Sequence, residues 1–256
     1  MIHHMPFLGL SSPRLKLMSS WLMGAAVLSF ASVAKAEDGN ENPQGGPYLN
    51  VSGGVADLLS KPAARGSLTA GSMVIPFDAT VDYGTGWNGR IAIGYEQRRN
   101  PHDERGESNS TSPDFRVEVE YVAVREKRRH FTAGQLSSPL NDNLRADAGF
   151  ANAYWRLVGD ASVRLWAAGG IGYAHVATPD ATMNAACSCL GAASGTGLAY
   201  QGKLVTEMAV SPSVHVLIDA GAIHFPGLRT AERPVAVTEY GKAWMGTMNL
   251  GLRLTL

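Results

Sequence analysis

The stretch Phe115 to Glu126 reads FRVEVEYVAVRE, and the direction in which its two faces point decides the fold. A strand turns successive side chains to opposite sides. Phe115, Val117, Val119, Tyr121 and Ala123 therefore share one face, and Arg116, Glu118 and Glu120 share the other. In a soluble sandwich or barrel the apolar face points inward. In a membrane barrel the order inverts, with apolar residues against lipid and charges turned into the lumen.

Seven further segments repeat the pattern: YLNVSGGVA from Tyr48, WNGRIAIGYE from Trp87, ANAYWRLV from Ala151, SVRLWAAGGIGYAHV from Ser162, LAYQGKLVTEM from Leu198, VHVLIDAGAIHF from Val214 and WMGTMNLGLRLTL from Trp244. Their length of about ten residues is that of tilted transmembrane strands. The spacing predicts an all-β protein, an eight-stranded antiparallel up-and-down transmembrane β-barrel over residues 48–256. Connections alternate in length, which such a barrel requires. Long ones are expected at Ser60 to Thr85, His130 to Ala148, Ala177 to Thr196 and Pro226 to Lys242, and short ones at Gly159-Asp160 and Ser211 to Ser213. The polar connection Arg98 to Asp114 breaks the rhythm, being long where a tight turn is expected, and its apolar content is too low to pack.

The apolar faces carry Trp87, Tyr95, Phe115, Trp155, Tyr173, Tyr200 and Trp244, more bulk than the interior of a small closed barrel holds. Many sit near strand ends, as interfacial girdles do. The opposite faces offer Arg90, Arg116, Arg156, Arg164, Lys203 and Arg253 to answer Glu96, Glu118, Glu120, Glu207 and Asp219, a near balance that suits a plugged lumen of ion pairs. The alternative is a soluble periplasmic barrel with apolar faces inward, binding a small apolar ligand.

Upstream, an apolar run from Leu17 to Val33 follows Arg14 and Lys16 and precedes Ala34-Lys35-Ala36, the layout of a secretory signal peptide over residues 1–36, with a polar lead at 37–47. Cleavage after Ala36 leaves 19 basic against 22 acidic residues, from 22 of each in the whole chain. That balance does not favour nucleic acid as a partner. Cys187 and Cys189, spaced as CSC, either form a disulfide with each other or with another molecule, or stand as two small residues in a surface loop. They lack the further ligands of a zinc site.

Catalytic groupings are sparse. Only Ser213 and His215 sit close enough along one strand face to act as nucleophile and base, as a lipid A-modifying barrel enzyme would need, and they fall at the periplasmic end, away from the outer leaflet. GGIG at 169–172 lies inside a strand, so it is no phosphate loop. The expectation is a protein that is not an enzyme and has no cofactor or metal.

The stretches GRIAIGYE, FRVEVEYVAV, RLWAAGGIGYAHV and LAYQGKLVTEMAVSPSVHVLIDAGAIHF resemble the small eight-stranded outer-membrane barrels of the opacity-porin and bacterial surface-antigen type. The resemblance implies a bacterial outer-membrane location, reached through the cleaved signal peptide read above, a barrel without an open pore, and variable exposed loops. The expected role is that of a structural or adhesive, antigenic surface protein whose long loops meet a host or cell-surface ligand. Outer-membrane lipid, lipopolysaccharide and the barrel-assembly machinery are the partners it implies. Two features depart from that pattern. The chain ends LRLTL with Leu256 where an aromatic residue is usual, and Ile223-His224 stands where a tyrosine-arginine pair is expected.

Overall fold

In a computed structural model of the chain, the described residues are 45–60, 62–70, 72–97, 115–159, 162–180, 191–230 and 236–256. They form twelve strands: β1 Gly45–Leu58, β2 Ala64–Ala70, β3 Met73–Tyr83, β4 Gly86–Gln97, β5 Phe115–Ala133, β6 Leu136–Gly159, β7 Val163–Thr178, β8 Ala193–Ser211, β9 Val214–Phe225, β10 Leu228–Thr230, β11 Ala236–Tyr240 and β12 Ala243–Thr255. The segment 1–36 expected to be a signal peptide, most of the polar lead, the connection 98–114 and both cysteines lie outside the described residues.

Eight of the strands close the barrel. β1 pairs with β4, and the ladder continues antiparallel through β5, β6, β7, β8, β9 and β12 back to β1. The other four fall within two of the expected long loops, and they close a second ring above the first. β3 pairs with the upper end of β5, and β2, β11 and β10 carry the ladder across to the start of β8. The wall therefore continues past the ends of β1, β4, β9 and β12 as a crown of eight strands, with β5 to β8 common to both rings.

The connection expected from His130 to Ala148 is corrected by this architecture. β5 runs on to Ala133, turns at Gly134-Gln135, and β6 starts at Leu136. Gly134 has φ +57, a left-handed conformation that suits the tight turn.

Facing explains both rings. In the lower barrel Val51, Ile91, Ile171, Leu204, Met248, Leu250 and Leu252 are exposed on the outer wall, while Arg90, Glu96, Arg116, Glu118 and Glu120 are buried inside. That is the inverted order of a membrane barrel. In the crown the order reverts. The interior holds Val81, Val124, Phe131, Leu140, Leu144 and Leu228, and the outside of β5 and β6 carries Lys127, Arg129, Asn141, Asn143 and Arg145. β5 passes through both regimes. Its inward side runs Arg116, Glu118, Glu120 and then Val122 and Val124; its outward side runs Val117, Val119, Tyr121 and then Arg125 and Lys127. The switch falls between Tyr121 and Arg125 and marks the level at which the wall leaves lipid for water.

Aromatic residues bracket the apolar band. Trp87, Tyr121, Tyr173, Tyr200 and Trp244 stand on the outer wall toward the crown, with His224 stacked on Tyr200 at 5.3 Å and edge-on to Trp244 at 5.0 Å. Tyr95, Phe115 and Trp155 stand toward the opposite rim, where Phe115 meets Trp155 edge-on at 6.0 Å. These are the two girdles expected of a barrel crossing a bilayer.

Candidate functional site

The lumen of the lower barrel is built from alternate residues of all eight strands, so each side chain is aimed inward by the pleat. Toward the rim opposite the crown, Glu96 and Glu207 are held by three guanidinium groups. Glu96 takes Arg116 at 3.0 Å, Arg164 at 2.9 Å and Arg253; Glu207 takes Arg164 at 2.5 Å, Arg253 at 2.7 Å and Arg116. His215 approaches Glu207 at 3.6 Å, and the Arg116 guanidinium lies 3.6 Å from the ring centre of the fully buried Trp166.

One level higher, three carboxylates face two cations. Lys203 Nζ reaches Glu120 at 2.8 Å and Glu118 at 3.6 Å, and Arg90 lies 3.5 Å from Glu120 and 3.6 Å from Asp219. Uncharged donors fill the remaining acceptor positions: Tyr154 O–H to Glu118, Asn152 Nδ2 to Glu120 at 2.9 Å, Asn249 Nδ2 to Asp219 at 2.7 Å, and Tyr48 O–H to Glu118 at 3.3 Å. The two levels together hold Arg90, Arg116, Arg164, Lys203 and Arg253 against Glu96, Glu118, Glu120, Glu207 and Asp219. Five positive charges meet five negative ones, which keeps a buried cluster from carrying a net charge.

Ten of the eleven residues expected in the network are thus brought together. Arg156 is not among them. It is exposed at the end of β6 away from the crown, beside a register shift between Arg156 and Val158, where alternation no longer fixes an inward direction. Uncharged residues outside the expected network, Tyr48, Tyr154, Asn152 and Gln201, complete it, and their signal is inward register beside a charge. Ser213 and His215 are separated: Ser213 is exposed in the turn after β8, and His215 is buried against Glu207 and near Arg253.

Above the charges the lumen is apolar, lined by Ala56, Val122, Ala148, Phe150, Ala174, Ala199, Ile223 and Met245. A smaller polar group lies higher, inside the crown. Arg128 clasps Asp142 with two nitrogens and donates to the Pro179 carbonyl at 3.2 Å. Beside it, Glu126 is fully buried and accepts from the Leu58 N–H at 3.1 Å, and its second oxygen has no partner among the described residues. Burial raises this carboxyl to about 7, with the Leu58 N–H working against the rise and Asp57 adding to it. Burial also raises the Tyr83 and Tyr240 phenols nearby.

Solved structures with this architecture decide the class. The outer membrane protein OprG from Pseudomonas aeruginosa aligns with 85% of this chain over its own whole length, at a TM-score of 0.53 and 10% identity. The fold is that of a small outer-membrane β-barrel. Other similar barrels are the Neisserial surface protein A, at 15% identity over 82% of this chain and 97% of that one with a TM-score of 0.41, and the outer membrane protease OmpT from Escherichia coli, at 10% identity over 86% and 99% with a TM-score of 0.41. At these identities the likeness is one of fold. No protein-family profile matches the sequence, and no curated protein matches it. For an outer-membrane barrel, the exposed apolar band of the lower wall is the lipid-facing surface and the filled interior is the lumen. The apolar faces of FRVEVEYVAV and its sister strands point outward, opposite to the arrangement of a soluble barrel with those faces turned in.

Proposed function

We propose that this outer-membrane barrel is a surface protein of structural or adhesive character, sealed in the membrane and presenting its crown to neighbouring molecules. The observation that supports the reading is the reversal of facing along β5, apolar outside up to Tyr121 and charged outside from Arg125. A wall with that reversal is solvated where it rises above the lipid, and it offers a rigid, strand-built contact surface instead of a set of free loops. The charge-paired lumen, crossed by Trp166, Arg116 and Arg253, fills the path an ion would take. The protein reaches the bacterial outer membrane through removal of residues 1–36 and the barrel-assembly machinery, and a host or cell-surface ligand meets the crown.

Single-cysteine labelling of intact cells tests the orientation, with Cys187 and Cys189 replaced by Ser. A membrane-impermeant maleimide is expected to react at Gln135→Cys and to leave Ser213→Cys unlabelled until the outer membrane is opened. The reverse pattern, or recovery of the protein in the soluble periplasm without detergent, refutes the reading.

A further inference from the structure

Directly above the upper girdle, the outside of β5 and β6 carries an arrangement that the sealed barrel does not need. Arg125 and Arg145 stand opposite each other in the ladder, and like charges in that relation destabilise a pair of strands. Lys127 follows two residues up the same face. Arg129 lies above it, packed so closely over the β3–β4 link that a Cβ on Gly84 would come within 2.4 Å of its Nε. On the other side Arg125 pairs in register with Trp87 of β4.

The outward carboxylates near this group are Asp147, Asp82 and, two strands away at the upper end of β1, Asp57. Asp147 receives Arg125 at 3.4 Å and the Tyr121 hydroxyl at 2.8 Å, and Asp82 sits opposite His130. Four cations thus face three carboxylates, on strands that are hydrogen-bonded on both sides. Protecting a free edge therefore does not explain the charges. Arg125 lies two outward steps beyond Tyr121 in the girdle, a rise of roughly 10 Å for a tilted strand, which places Arg125 and Arg145 in the headgroup layer.

We infer that Arg125, Arg145, Lys127 and Arg129 form a docking site for the phosphate groups of a phosphorylated glycolipid in the outer leaflet. This rests on the membrane orientation proposed above. Guanidinium groups bind phosphate oxygens in a paired fork, and a phosphate set between Arg125 and Arg145 converts their repulsion into two charge-assisted contacts. The acyl chains of the same lipid then lie along the apolar outer faces of β4, β5 and β6, past Ile91, Val117 and Val119, with Trp87 at the boundary.

The test uses the full mature chain refolded into phosphatidylcholine vesicles containing increasing fractions of bis-phosphorylated lipid A, with the thermal midpoint read from heat-modifiable gel migration. The midpoint should rise with lipid A and saturate, and the half-saturating fraction should increase at least tenfold in the double variant Arg125→Gln/Arg145→Gln. The control Arg65→Gln/Arg229→Gln, which removes outward arginines paired with Asp78 and Glu239 in the crown, should behave as the parent protein does. Dephosphorylated lipid A should have no such effect, and millimolar inorganic phosphate should not replace the lipid. An undiminished response in the Arg125/Arg145 variant, an equal response to dephosphorylated lipid A, or an equal response to free phosphate overturns the inference. Failure of the parent protein to enter vesicles as a heat-modifiable species is a different result, and it overturns the membrane reading beneath it.

Discussion

Replacing Glu207 by Gln removes one negative charge from the tightest part of the lumen while keeping the side chain's shape. Glu207 accepts Arg164 and Arg253 at 2.5 and 2.7 Å, holds Arg116 through its other oxygen, and faces His215 at 3.6 Å. Without it, three guanidinium groups share the single charge of Glu96. Breaking a buried pair by removing one partner costs about 3–5 kcal/mol, because the remaining charge is left uncompensated in a poorly solvated site. The lower figure is expected here, since Glu96 still contacts all three guanidinium groups and the Trp166 ring still lies against Arg116. Urea unfolding in lipid vesicles, followed by tryptophan fluorescence, should therefore show Glu207→Gln destabilised by about 3 kcal/mol. Adding Arg164→Met restores the charge balance and should recover at least half of the loss, a coupling that the double-mutant cycle reads directly. A loss below about 1 kcal/mol, or a double variant no better than Glu207→Gln alone, would refute the view that charge balance holds this lumen together.

Three further outcomes are expected. Val119→Arg places a charge on the outer wall midway along the apolar band of β5 and should cost roughly 2–4 kcal/mol, seen as a fall in the folded, heat-modifiable fraction after vesicle refolding. Gly94→Ala puts a Cβ within 2.4 Å of the Tyr48 hydroxyl and 2.7 Å of the Val117 carbonyl, so the variant should lose the Tyr48–Glu118 contact and unfold at lower urea than the parent protein. The crown should loosen as pH rises. Glu126 titrates near 7 in the folded protein, above its ordinary value, so its neutral form stabilises the β1–β5 junction at low pH, and that contribution is lost between about pH 4.5 and 7. Limited proteolysis of the crown should accelerate over that window in the parent protein and stay flat in Glu126→Gln.

The lower barrel was legible because its two faces differ in chemistry at every second residue. FRVEVEY states both sides of the wall within seven positions, and the same alternation carried ten lumen residues to their places. Arg156 failed because alternation holds only while a strand keeps its register, and β6 shifts beside it. The crown resembles loop in the sequence for a different reason. Segments such as SSPLNDNLRAD look like loop when judged against a membrane strand, with Pro139, Asn141 and Asn143 prominent. In the structure those residues face water, and Ser138, Leu140, Asp142 and Leu144 face inward, so the segment follows the rule of a soluble strand. Pro139 is accommodated opposite His130, where β5 itself shifts register. One chain thus obeys two opposite patterns, and a reader who assumes one rule for the whole strand loses the upper half.

The hydrogen-bonded closure of the crown has a bearing on how such a surface changes over generations. On the orientation proposed above, an antibody or phage meeting the described part of β5 and β6 touches alternate residues, such as Lys127, Arg129, Asn141 and Asn143, together with the turn at Gly134-Gln135. Escape by substitution can proceed at those positions without disturbing Phe131, Leu140 or Leu144 behind them. Diversity in this protein should therefore appear as a comb, every second residue drifting and its neighbours held, where a free loop would vary in a continuous block.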